Sequence, residues 1–157
     1  MLVAVPTRSR GKSTADLMFH KGDQFLTPQI GINSWAVPFG LNYERAVSEN
    51  IGVGGTVMMW FWNYFGFSSS VIVPSVEGAY HFTKLDVEKL DLFAGAGIGF
   101  AIYNSDYGSG SSGLYLYPFV AGRYFFKEKI GISLRLNIGV VGDWHGAGGL
   151  LGVVIRI

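Results

Sequence analysis

The sequence predicts an all-β chain that folds as an eight-stranded antiparallel up-and-down transmembrane β-barrel. Three observations carry the prediction. From Gln24 onward, apolar residues recur at every second position, over runs of roughly ten residues, the length a tilted membrane strand needs. Only 15% of the residues are charged, against an average of about 25%, and the charges that fall inside strands share one face. The connections alternate between short charged turns and longer loops rich in Gly, Ser, Asn and aromatics, as in a barrel with tight turns at one end.

Composition sets the outer bounds. The 157 residues make one domain. Aromatics at 15% and a low charge content exclude a disordered chain. A net charge of +1 gives no electrostatic footprint for nucleic acid. The absence of cysteine excludes disulfide scaffolds, thiolate zinc sites and cysteine nucleophiles. No apolar run reaches the roughly 18 residues of a membrane-spanning helix.

Residues 1–23 are expected to form a basic tail, with Arg8, Arg10, Lys12 and Lys21 against Asp16 and Asp23 and no period. Met1 to Pro6 is too short an apolar run for the core of an export signal. A tail without its own core is ordered only where something holds it, which hints at a plug or a partner.

The barrel is expected over 24–157. Alternation places the first two strands at 24–34 and 36–45. The third, 50–62, sets Ile51, Val53, Val57, Met59 and Phe61 on one face against Gly52, Gly54 and Thr56. The fourth, 70–82, carries Glu77. The fifth, 90–103, carries Gly95, Gly97 and Gly99, expected to make room for Arg123 and its neighbours on the sixth, 113–126. The seventh, 129–141, sets Ile132, Leu134, Leu136 and Ile138 against Ser133, Arg135 and Asn137; the eighth, 147–157, sets Leu151, Val153 and Ile155 against Gly148, Gly152 and Arg156. A weak repeat supports hairpin stacking: Pro38 to Tyr43, Pro74 to Tyr80 and Pro118 to Tyr124 each end just before a charged turn. Charged turns are expected at 46–50, 83–89 and 127–129, and looser loops at 63–69, 104–113 and 142–146.

Charge decides which face points where. Outside the tail, most charges fall in the turns, with Asp91 counted among them. The five assigned to strands are Glu44, Glu77, Arg123, Arg135 and Arg156. All lie on the face that carries the glycines, Asn42, Asn137 and Thr56; the opposite face reads as wholly apolar. An eight-stranded interior is barely wide enough for side chains, so the large apolar side chains must point outward, where only lipid tolerates them. Lipid requires every backbone group to be paired, which closes the barrel. Aromatics fall at both ends, Trp35, Trp60, Trp62 and Trp144 toward the loops and Tyr43, Tyr80 and Tyr124 toward the turns, as two interfacial belts would.

The segments Asn42 to Gly55 (NYERAVSENIGVGG), Ala79 to Phe82 (AYHF), Lys89 to Phe100 (KLDLFAGAGIGF) and Val120 to Gly139 (VAGRYFFKEKIGISLRLNIG) resemble the small eight-stranded outer-membrane barrels of the outer membrane protein X and outer membrane protein A membrane-domain type. The likeness is strongest to the outer-membrane β-barrel domain proteins of Bacteroidota. Over 24–157 the resemblance implies a barrel architecture rather than an activity, in the outer membrane of a Gram-negative-type bacterium, with loops outside and turns and termini periplasmic. Ile157 stands where the family usually has an aromatic.

The residues expected to matter form two groups. Glu77, His81, Arg123 and Arg135 should point into the barrel as a polar network, with Glu44 and Arg156 near the turn-side mouth; buried charges must be paired. The loop aromatics Trp60, Phe61, Trp62, Tyr64, Phe65 and Phe67, with Trp144, should form an exposed apolar cluster, an interfacial belt or a contact surface for a partner. His145, beside Asp143 and Trp144, is the one conceivable catalytic histidine at the loop rim, but no serine flanks it closely. His20, His81 and His145 are too scattered for metal ligation. No catalytic residue, metal or cofactor is expected. The expected function is that of a non-channel outer-membrane barrel acting as a structural, adhesive or accessory subunit of an outer-membrane complex. Outer-membrane lipid is the expected partner, with another outer-membrane protein reached through the loop aromatics or the tail. The alternative is a lipid A deacylase or acyltransferase with its site at the loop rim; a soluble ligand-binding barrel and a pore complete the set of readings.

Overall fold

The computed structural model describes residues 19–34, 36–64, 67–85, 89–105, 113–140 and 146–157. Eight strands, β1 (Gln24–Asn33), β2 (Phe39–Ala46), β3 (Ile51–Tyr64), β4 (Phe67–His81), β5 (Leu90–Ser105), β6 (Gly113–Lys127), β7 (Ile130–Gly139) and β8 (Gly146–Arg156), pair in sequence order. Each pair is antiparallel, and β8 pairs with β1 to close the barrel. Strand limits match the sequence reading to within three residues. The largest shifts, three residues each, are at the starts of β4 and β2; β2 starts at Phe39 because Ala36 is spent in a tight turn, its amide donating to Asn33 Oδ1 at 2.8 Å.

The wall alternates as a two-residue period demands. Along β7 every odd partner of the pattern is exposed and every even one buried, from Ile130 out to Gly139 in. Leu134, Leu136 and Ile138 are 56%, 54% and 57% exposed, a degree of apolar exposure that water would not tolerate along a whole barrel and lipid does. Charged Arg45 and polar Gln24 reach the outer face only at the turn end, where Tyr43 donates to Gln24 at 2.7 Å.

The lumen is filled in layers. At the turn end, Phe25, Ala46, Phe125 and Val154 pack with Phe19, a residue of the tail. Next come the charged side chains. Toward the loops follows an apolar layer of Met58, Trp60, Val71, Val73, Tyr115 and Leu150. The inward face is therefore more apolar than a count of glycines and charges suggests. Two sequence expectations are corrected here. Gly95 and Gly97 make room for neighbours of Arg123 on β6 and not for Arg123 itself: an added Cβ would meet the Phe119 ring at Gly95, the Tyr117 ring at Gly97 and Ser75 at Gly99. Strand register explains this, since Gly97 faces Tyr117 and Gly95 faces Phe119, whereas Arg123 faces Asp91. Trp60, expected in the exposed cluster, is only 2% exposed; with Phe61 turned outward, its neighbour must turn in.

Candidate functional site

Two groups of buried charge occupy the middle of the barrel. The first sits below the turn-end cap. β4 ends on His81, which is wholly buried. Its Nε2 lies 2.9 Å from Glu44 Oε1 of β2, and its Nδ1 lies 2.8 Å from Asp91 Oδ1 of β5. The ring is thus bracketed by two carboxyl groups, one at each nitrogen. Arg123 of β6 completes the group, pairing with Glu44 Oε2 and lying 3.6 Å from Asp91 Oδ2. Two acidic side chains thus face one histidine and one arginine.

Aromatic rings cover the faces that the carboxylates leave open. His81 lies between Phe19, with centroids 3.5 Å apart and planes within 11°, and Phe93 at 4.6 Å. The Arg123 guanidinium lies between the rings of Phe25 at 4.6 Å and Phe93 at 4.3 Å. For a buried guanidinium such cation–π contacts contribute on the order of 1–2 kcal/mol each. Phe19 is held in place by its own segment: His20 N donates to Asp23 Oδ2, and Gly22, at φ 97°, donates to the Ala46 carbonyl. Asp23 in turn lies 3.5 Å from Arg156, so this last charge is paired at the turn-side mouth, where the sequence placed it.

The second group is centred on Glu77 of β4. Its carboxylate accepts from Arg135 Nη2 at 2.7 Å and Nη1 at 3.0 Å, from Tyr117 at 2.6 Å, from Thr56 at 2.7 Å and from Asn42 at 3.0 Å. The Arg135 guanidinium stacks 3.7 Å from the centroid of Phe119. Ser75 lies 2.6 Å from the Tyr117 hydroxyl and donates to the Thr56 carbonyl. The enclosed space between the two groups, bounded by residues such as Thr27, Glu44, Glu77 and Arg123, is only about 20 Å³, room for about one water.

All six residues expected in the lumen are there, and all take part. Asp91 was missed: beside the charged turn it reads as a turn residue, but its spacing from Phe93 and Gly95 sets it inward. Tyr117 was also missed, its hydroxyl being invisible in an otherwise aromatic and aliphatic run. The two carboxylates of the first group approach opposite nitrogens of the His81 ring, so they do not converge on a point as metal ligands would. Of the loop aromatics, Phe61 is 59% exposed. The backbones of Trp62, Tyr64 and Phe67 belong to the β3–β4 hairpin, and their side chains, together with Phe65, Trp144 and His145, lie outside the described residues.

Neither a protein-family model nor a curated protein matches the chain. Solved structures do. The chain resembles the N-terminal β-barrel domain of Pseudomonas aeruginosa OprF, at 14% identity over 87% of this chain and 98% of that one, with a TM-score of 0.67. It resembles a de novo designed transmembrane β-barrel at 13% identity over 89% of this chain and 99% of the other, TM-score 0.62. It also resembles Ail, the attachment invasion locus protein of Yersinia pestis, at 15% identity over 87% of this chain and 99% of that one, TM-score 0.56. A designed chain among the three makes the point that these likenesses carry the fold and no particular activity. The chain is an eight-stranded antiparallel β-barrel of the kind that spans outer membranes.

Proposed function

We propose that this chain is a channel-less barrel of a Gram-negative-type outer membrane, with its loops outside and its turns and termini in the periplasm, and that it acts through its surface as a structural, adhesive or accessory protein. One observation carries the reading: the lumen is closed at three levels, by the turn-end aromatic cap, by the two groups of paired ionisable side chains and by the loop-side apolar layer. A permeant ion would have to break buried ion pairs, each costing several kcal/mol. The surface offers what the lumen does not. Exposed Phe61 stands at the loop end of β3, and the stretch that follows it, 62–67, is the proposed contact surface for another outer-membrane protein or an extracellular ligand. Of the solved structures similar in fold, Ail is named for attachment and invasion, which is in keeping with surface work by a barrel of this size.

The test is electrical. Purified protein inserted in planar bilayers should give no discrete conductance steps. Steps that vanish with a lumen substitution such as Glu77→Gln would overturn the reading in favour of a pore.

A further inference from the structure

We propose that the space enclosed between the two charge groups is a binding site for a single water molecule, which joins them into one hydrogen-bonded network. Thr27, Gln29, Arg123 and Arg135 line this space, and each is more than nine-tenths buried. Among the described residues, five of their polar atoms have no hydrogen-bond partner: Thr27 Oγ1, Gln29 Nε2, Arg123 Nε and Nη1, and Arg135 Nε. Arg123 Nη1 approaches Asp91 only to 3.6 Å, beyond hydrogen-bond range. Buried polar groups are paired almost without exception. A set of them around one hollow points to a ligand that satisfies them.

The atoms around the space select the ligand. Four of the five are nitrogens that only donate, so the ligand must accept, and a metal cation is excluded. The volume of about 20 Å³ admits one water and excludes larger oxyanions. A halide ion is of comparable size. It would, however, lie beside Glu44 and Glu77, which line the same space, and near Asp91 on the far side of Arg123. The two guanidiniums that would attract it are already engaged in ion pairs, so a halide would add a fourth negative charge to three acidic side chains. Water meets both demands: it accepts from the donors and gives its own protons to the acids.

The lining also assigns the bonds. Arg123 of the first group and Arg135 of the second donate to the water oxygen. Glu77 already accepts five hydrogen bonds, against about four lone-pair sites on a carboxylate, so it has no place for another. Glu44 meets only His81 and Arg123. It therefore takes one proton of the water, and the Thr27 hydroxyl takes the other. The two groups and the water together then link side chains from every strand from β1 to β7. A single fixed water strengthens such a network instead of screening it. The site is the same whichever side of the membrane the turns face.

The full chain, labelled with nitrogen-15 at arginine, is folded in detergent micelles, and NMR reads cross-peaks between the water resonance and the arginine Nε–H protons. Wild type should show them at both Arg123 and Arg135, with laboratory-frame and rotating-frame Overhauser effects of opposite sign, the mark of a bound water as against proton exchange. Ala79 and Ser133 also line the space. Ala79→Val and Ser133→Val each add bulk to it and should abolish both cross-peaks, whereas Leu134→Ile on the lipid face should keep them. Gel mobility before and after heating reports which variants fold. Replacing chloride by sulfate in the buffer should leave the Nε–H shifts of Arg123 and Arg135 unchanged. Absence of the cross-peaks in wild type, which decides the matter even where neither lumen variant folds, would overturn the proposal. So would cross-peaks that persist in a folded Ala79→Val or Ser133→Val, or arginine shifts that follow chloride concentration, which would make the ligand an anion. Bilayer conductance tests the channel-less reading separately.

Discussion

The Glu77 group allows a quantitative test of what holds the barrel interior together. Arg135→Met removes the two guanidinium bonds at 2.7 and 3.0 Å and keeps an apolar stem against Phe119. Breaking a buried pair by removing one partner costs about 3–5 kcal/mol, because the other charge is left uncompensated. Three further donors, from Tyr117, Thr56 and Asn42, still hold the Glu77 carboxylate, which sets the expected loss at the low end, about 3 kcal/mol. The companion variant Glu77→Gln removes the charge that Arg135 faces. In the double variant no unpaired charge remains, so the two losses should fall short of additivity by about 2 kcal/mol. The assay is reversible denaturant unfolding in lipid vesicles, followed by tryptophan fluorescence, for the wild type, both single variants and the double. A loss below about 1 kcal/mol for Arg135→Met, or strict additivity, would show that the lumen is wet enough to screen the pair, and the account of a dry, paired interior would be wrong.

Two further perturbations probe the wall. Leu134→Arg places a charge on the lipid face of β7 and should cost roughly 2–4 kcal/mol in a bilayer; unfolding midpoints equal to wild type would mean that inside and outside are reversed. Gly97→Ala drives a methyl into the Tyr117 ring and should lose about 1–3 kcal/mol by overpacking, whereas Gly78→Ala, which meets open space, should stay within about 0.5 kcal/mol of wild type. Equal midpoints for these two variants would contradict close packing at Tyr117.

What the sequence reveals about this chain follows from a single period. In a barrel the inward and outward residues alternate along each strand, here with a register shift between Phe125 and Lys127 at the end of β6, so once five strand charges and the glycines share a parity, the two faces of the strands follow. The same rule would have placed Asp91 and Trp60 correctly: each adjoins an outward residue, Leu92 and Phe61. Composition points the other way at both positions: Asp91 follows the acids and lysines of the charged turn, and Trp60 opens the aromatic run of the loop. Strand register, by contrast, is invisible in one sequence. That Gly97 faces Tyr117 while Arg123 faces Asp91 depends on the stagger of β5 against β6, and stagger sets which glycine accommodates which ring. The role of Phe19 was equally hidden. No pattern in a tail without period says that one phenyl ring will stack on a buried imidazole.

The first charge group also bears on assembly. Its four members come from β2, β4, β5 and β6, and Glu44 and Arg123 are 79 residues apart, so no single hairpin can complete it. A one-residue slip of any of these strands would turn its charge out to lipid, at roughly 2–4 kcal/mol for an arginine at the midplane, and strand the partners inside. The group therefore works as a proofreading device: it satisfies itself only when several strands are correctly staggered at once. Phe19, which precedes β1, packs over the group against Phe25, Ala46, Phe125 and Val154, side chains of β1, β2, β6 and β8, so its full burial requires strands from all round the barrel to be in place.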